Sequence, residues 1–207
     1  MSYTQIDTLV LIIQIIVSFV VAVRAMRLYT RTGGDHLFIL ALSMAIISVV
    51  GVIGLLNDNF VHTLSTRWFR YIAQITSFFF IFLSTLRPPS KYLRLIKRWQ
   101  LISVGLLVVL LALTPVVPQL ANPHVEAVVN FGRASMCFVI FLNYATIFMS
   151  KETRFSFLMA LAFFLICFGF GTITPWYLMK SQLLLVYVGH SMRALGLISL
   201  FVAFLIG

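Results

Sequence analysis

Arg193 and His190 stand near the middle of VYVGHSMRALGLISLFVAF (186–204), a stretch otherwise made almost entirely of apolar or small residues. A guanidinium presents a planar fork of donors that matches a carboxylate or a phosphate. An imidazole three residues away shares its helical face. A second arginine lies in a similar setting: Glu126, Asn130, Arg133 and Cys137 follow i, i+4, i+7, i+11, one stripe of one helix. Arg70, Gln74 and Ser77 form another such stripe, and Asp7, Gln14 and Ser18 a third. A charge at the centre of a membrane helix costs about 2.5–3.5 kcal/mol, so it normally faces the bundle interior or a watery cavity. The pattern therefore predicts an outward-facing polar pocket for a small anionic or strongly hydrogen-bonding ligand. Its expected lining is Arg133, Arg193, His190, Gln74, Asn130, Glu126, Gln14 and Tyr187. Trp68, Tyr71, Trp176 and Tyr177 are available to rim its mouth or to serve as interface aromatics.

Two structural explanations compete with this reading. The arginines can pair with acids, and Glu126 and Asp58 are the candidates on the same side. They can also bond carbonyls of GFGTITPW (169–176), where Pro175 and the glycines loosen a helix.

Other chemistries find less support. The four histidines, His36, His62, His124 and His190, do not form the stacked pairs within helices that a membrane haem b needs. His62, His124 and His190 leave a single haem or metal site open, but no cofactor or metal is assigned. H-E-x-x-H, G-x-S-x-G and P-loop motifs are missing from the sequence. A Cys137 nucleophile would need His190 from another helix, and no catalytic residue is assigned. Covalent retinal needs a lysine in the last helix, where this chain has Arg193.

The elements that must position these residues follow from composition. Of 207 residues, 61% are hydrophobic and 10% charged, against about 45–50% and about 25% in soluble domains. So much apolar surface calls for lipid as solvent. Apolar segments lie at 8–26, 36–56, 68–86, 100–118, 126–149, 155–174 and 183–205, most of them near the roughly 20 residues that span a bilayer. Period-2 alternation is lacking, against a membrane β-barrel. The first segment lacks the basic start and small-residue site of a cleaved signal peptide. The expected fold is all-α: a polytopic membrane protein in which 1–207 forms a single domain of seven transmembrane helices. Cys137 and Cys167 lie inside apolar segments and suggest helix packing rather than a disulfide framework.

Net charge is +10, and its distribution predicts orientation. Arg24, Arg27 and Arg31 follow the first segment; Arg87, Lys91, Arg94, Lys97 and Arg98 the third; Lys151 and Arg154 the fifth. The opposite side carries only Arg67, Arg70 and Lys180. The positive-inside rule puts the N-terminus outside and the C-terminus in the cytoplasm, in a cell inner or plasma membrane. At 1.5 Å per residue Arg193 is then about 15 Å deep and Arg133 about 10 Å. The basic block RPPSKYLRLIKRW (87–99), begun by the helix-stopping Pro88 and Pro89, is a topology anchor that also suits anionic lipid at Lys91–Arg98. Nothing requires a nucleic-acid partner.

A weak internal repeat accompanies this plan. FILALSMAII (38–47) aligns with FLMALAFFLI (157–166), and YIAQ (71–74) with YVGH (187–190). Helices 1–3 duplicated as 5–7, with helix 4 between, would give a three-plus-one-plus-three arrangement about an axis along the membrane normal.

The join VRAMRLYTRTGGDHLFILAL (23–42) has a basic helix end, a Thr-Gly turn and an apolar helix. It resembles the first cytoplasmic turn of the seven-helix membrane modules at the N-terminus of prokaryotic sensor kinases and related regulators. The resemblance covers some twenty residues and otherwise topology alone. It implies a sensor or receptor role with a cytoplasmic signalling partner or output domain. This chain carries no such domain, so it is expected either to act alone or to be the membrane part of something longer. A small-solute transporter is the alternative, although the Pro-Gln signature of small three-plus-one-plus-three transporters occurs only at Pro118-Gln119, in a loop. A structural subunit of a membrane complex is the third reading.

Overall fold

Long apolar segments separated by short joins fold as helices. The computed structural model describes residues 3–61, 66–86, 89–116, 122–179 and 183–206, and within them forms seven α-helices and no strand. These are α1 (Tyr3–Thr32), α2 (Asp35–Leu56), α3 (Thr66–Thr85), α4 (Ser90–Leu113), α5 (Pro123–Lys151), α6 (Arg154–Met179) and α7 (Leu183–Ile206). Six of them, all but α3, are long and apolar enough to cross a membrane. Arg67, Arg70 and Gln74 in the first turns of α3 leave it without an apolar stretch of spanning length.

The helix ends follow local chemistry. Gly33, at φ 71°, takes the left-handed conformation that closes α1 and leaves two residues before α2. Asn122 caps α5 by accepting the His124 amide at 2.9 Å, and Pro123 occupies the first turn, where its missing N–H costs nothing. Glu152, at φ 50°, ends α5, and its amide bonds Phe148 O at 2.7 Å. The expected fourth segment, 100–118, is corrected at both ends: α4 starts at Ser90, so the basic block forms its first turns, and it stops at Leu113. Arg87, Pro88, Pro118, Gln119 and Lys180 lie outside the described residues.

Contacts divide the chain into two compact units. One comprises the first half of α1, through Val17, with α5, α6 and α7; the other comprises the rest of α1 with α2, α3 and α4.

In the first unit α6 and α7 approach closely along a small-residue seam. A Cβ on Gly196 would lie 2.8 Å from Ala162 O, and one on Gly189 would lie 2.8 Å from Gly169 O. Gly189 and Gly196, seven residues apart on α7, face Gly169 and Ala162 on α6, and Ala203, seven residues further on, is buried. Small residues at that period let helix backbones meet where lipid provides no hydrophobic drive.

In the second unit Val50, Phe69, Ala73 and Leu107 form a core cluster joining α2, α3 and α4. Fully buried Gln100 ties α4 to α2, donating at 2.9 Å to both Ile39 O and Ser43 Oγ. Arg70 passes over Gly54 to reach Asp58 at 2.9 Å. Asp58 is therefore committed to Arg70, and the expectation that it serves a deeper arginine is corrected. Gln74 is buried on α3.

Candidate functional site

The buried stripe of α5 runs through Ala127, Asn130, Ala134, Cys137, Ile140 and Tyr144. Asn130 on this stripe and Arg133 beside it belong to the first unit's polar cluster. Both polar residues are buried, at 1% and 6% exposure. The Asn130 amide is oriented by both ends. Its Oδ1 accepts from Arg133 Nη2, and its Nδ2 donates to Phe170 O at 2.7 Å and Thr174 Oγ1 at 2.9 Å on α6. The Thr174 hydroxyl donates to the same Phe170 carbonyl at 2.9 Å. The expectation that a carbonyl of the Pro175 region receives an arginine is thus refined: asparagine takes the carbonyl, and arginine takes the asparagine.

Arg193 approaches from α7. Its guanidinium donates to Gln14 Oε1 on α1 at 3.2 Å and lies 3.5 Å from His190 Nδ1. The other imidazole nitrogen, Nε2, is 3.7 Å from Asp7 Oδ1. A guanidinium has no acceptor, so the geometry assigns the His190 proton to Nε2, towards the carboxylate, and the Nδ1 lone pair towards arginine. His190 is 3% exposed, whereas the Asp7 side chain is 44% exposed. The chain of polar groups therefore runs from an exposed acid to a buried base and on to a half-buried guanidinium.

Phe170 is the centre of the arrangement. The guanidinium carbons of Arg133 and Arg193 each lie 4.6 Å from its ring centroid. A desolvated cation over an aromatic face gains about 2 kcal/mol, which offsets part of the cost of holding arginine at that depth. Close α6–α7 packing makes the approach possible: a Cβ on Gly169 would collide with Arg193 Cγ.

Of the expected lining, Arg133, Asn130, Arg193, His190 and Gln14 come together in this cluster. Glu126 lies half-buried in the first turn of α5, and Tyr187 half-buried one turn before His190. Gln74 belongs to the second unit. Sequence reasoning missed Phe170 and Thr174, and left Asp7 outside the site although it placed Asp7 and Gln14 on one stripe. Their seven-residue spacing was the available signal.

Among the described residues, His36 is exposed at the start of α2. His124 is exposed at the start of α5, and His62 lies outside the described residues. Cys137 and Cys167 are free thiols.

By length and composition the helices define a class, that of multi-pass α-helical membrane proteins. No known protein family, curated protein or solved structure matches this chain.

Proposed function

We propose that this protein is a ligand-binding membrane module of sensor or receptor type, with a polar pocket reached from outside the cell. One observation carries the reading: two guanidiniums share the Phe170 ring inside a helix bundle, and a polar chain links one of them to the exposed Asp7. Two cations brought together in a low-dielectric interior repel one another. A small anion placed beside them relieves that repulsion, and the arginine fork suits carboxylate or phosphate oxygens. The distribution of loop cations supports the orientation, with the N-terminus outside and the C-terminus in the cytoplasm of an inner or plasma membrane. A cytoplasmic partner or output domain would read the bound state.

A small-solute transporter is the second reading, favoured by α6. Pro175 lies inside that helix and leaves the Gly171 carbonyl without its usual amide donor. Gly/Pro-interrupted helices line the substrate sites of many transporters, and the three-plus-one-plus-three repeat belongs to this alternative. Solute flux into proteoliposomes separates it from sensing.

Thermal unfolding of the purified protein in detergent, with a panel of small carboxylates and phosphates, tests the primary reading. At least one anion should raise the midpoint in a concentration-dependent way. Arg193→Lys keeps the charge but loses the fork, so it should fold and respond weakly. Arg193→Leu should be at least as stable as the parent and unresponsive. An unresponsive parent combined with a strongly destabilised Arg193→Leu variant would make the cluster purely structural.

A further inference from the structure

The basic first turns of α4 divide into two groups with different environments. Lys97 points into the second unit. Its Nζ donates to Asp35 and to the Tyr29 hydroxyl, both at 3.0 Å, and sits 4.4 Å from the Phe38 ring centroid. Its charge is engaged within the fold. Lys91, Arg94 and Arg98 are exposed, and their i, i+3, i+7 spacing places them on one face of α4. With Tyr92 and Leu95 they line an open cavity of about 360 Å³.

That face has an apolar continuation. Ile102, Leu106, Val109 and Leu113 follow the cations at helical spacing and are all about half-exposed or more. Gly105 flattens the strip, with no atom within 4 Å of where its Cβ would be. Only 11% of the apolar stretch of α4 is buried, the smallest share among the six long helices. Trp99, 58% exposed, stands at the junction of the cationic and apolar parts, the level where tryptophan anchors a helix at the membrane surface. A cationic recess at the interface, leading directly to an unpartnered apolar strip, has the two-part chemistry of a phospholipid. An acidic peptide or a soluble phosphate would use the recess alone.

We propose that Lys91, Arg94 and Arg98 form a binding site for the headgroup of an anionic phospholipid whose acyl chain lies along the Ile102–Leu113 strip. The site is separate from the polar cluster of the first unit, and its test does not depend on that cluster's function. Loop cations that merely set topology would attract anionic lipid diffusely, so the distinguishing property is dependence on these three positions.

The test uses the full-length purified protein in mild detergent, titrated with phosphatidylglycerol or phosphatidylcholine and read by native mass spectrometry. The expected result is preferential retention of phosphatidylglycerol, weakened about a hundredfold in the K91Q/R94Q/R98Q variant. The R24Q/R27Q/R31Q variant removes three cations from the end of α1 and should bind like the parent. If the α4 triple variant does not fold, Arg94→Gln and Arg98→Gln singly should each weaken binding about fivefold. Equal losses in both triple variants would overturn the proposal in favour of diffuse attraction. Failure to distinguish the two lipids would overturn it as well, and so would displacement of the lipid by millimolar inorganic phosphate, which would reveal a soluble-anion site.

Discussion

Phe170 and Gln14 are side chains through which Arg133 and Arg193 are made tolerable inside the bundle. Phe170→Leu removes the ring shared by Arg133 and Arg193. With each desolvated contact contributing about 1–2 kcal/mol, the variant should lose roughly 2–4 kcal/mol, and Phe170→Tyr should lose much less. Thermal unfolding in detergent reads both, and a Leu variant as stable as the parent would remove Phe170 from its central place. Gln14 accepts one Arg193 donor at 3.2 Å. Gln14→Leu leaves that donor to find another acceptor and should cost about 1–3 kcal/mol. Gln14→Glu supplies a charge-assisted bond, so it should fold at least as stably as the parent. Its built-in carboxylate should also abolish any midpoint shift caused by added anions. A Glu variant that retains the full shift would separate the anion's site from Arg193.

At the scale of the element, the glycines of α6 and α7 divide by what surrounds them. Gly189 and Gly196 abut the backbone of α6, where a Cβ would meet carbonyl oxygens at 2.8 Å. Gly189→Ala and Gly196→Ala should therefore force the helices apart, at an overpacking cost of about 1–3 kcal/mol each. Gly171 sits in α6 with no atom within 4 Å of its would-be Cβ, so Gly171→Ala should be neutral or gain up to about 1 kcal/mol from helix propensity. Midpoints of thermal unfolding for the three variants give the comparison, and equal behaviour would show that the seam does not set the α6–α7 distance. The Gly189 substitution has a second expected effect, since this residue adjoins His190 and faces Gly169, beside Arg193: it should weaken anion response along with stability.

For the whole molecule the testable property is orientation. Cationic residues concentrate in the last turns of α1, in the first turns of α4 and where α5 meets α6. Single cysteines at 92 and 152, in a background free of reactive thiols, should react with a membrane-impermeant maleimide only after permeabilisation. Cysteines at 62 and 122 should react in intact cells. The inverse pattern would reverse the side from which Asp7 is reached and overturn the proposal of an outside-facing pocket.

How much of this was legible in the sequence differs by kind of feature. Helical class, the tight turn at Gly33 and the placement of Asn130 and Arg133 on one stripe follow from composition, glycine chemistry and the helical period, all of which act locally. Segment ends were less legible: the basic turns of α4 were expected to lie ahead of the helix, because hydropathy registers the apolar part and not the charged turns that continue it. Pairing was hidden. Gln14 and Arg193 are 179 residues apart, and a stripe shows which residues share a face without showing which helix comes to meet it. Asp58 looked available for a deep arginine until the fold brought Arg70 to it through the gap left by Gly54. Asn130 found a backbone carbonyl, a group that every residue carries and no sequence pattern marks. Phe170, one of 20 phenylalanines, became distinctive only when α5 and α7 each brought a guanidinium to its ring, since cation–π contact depends on distance and direction between helices rather than on residue type.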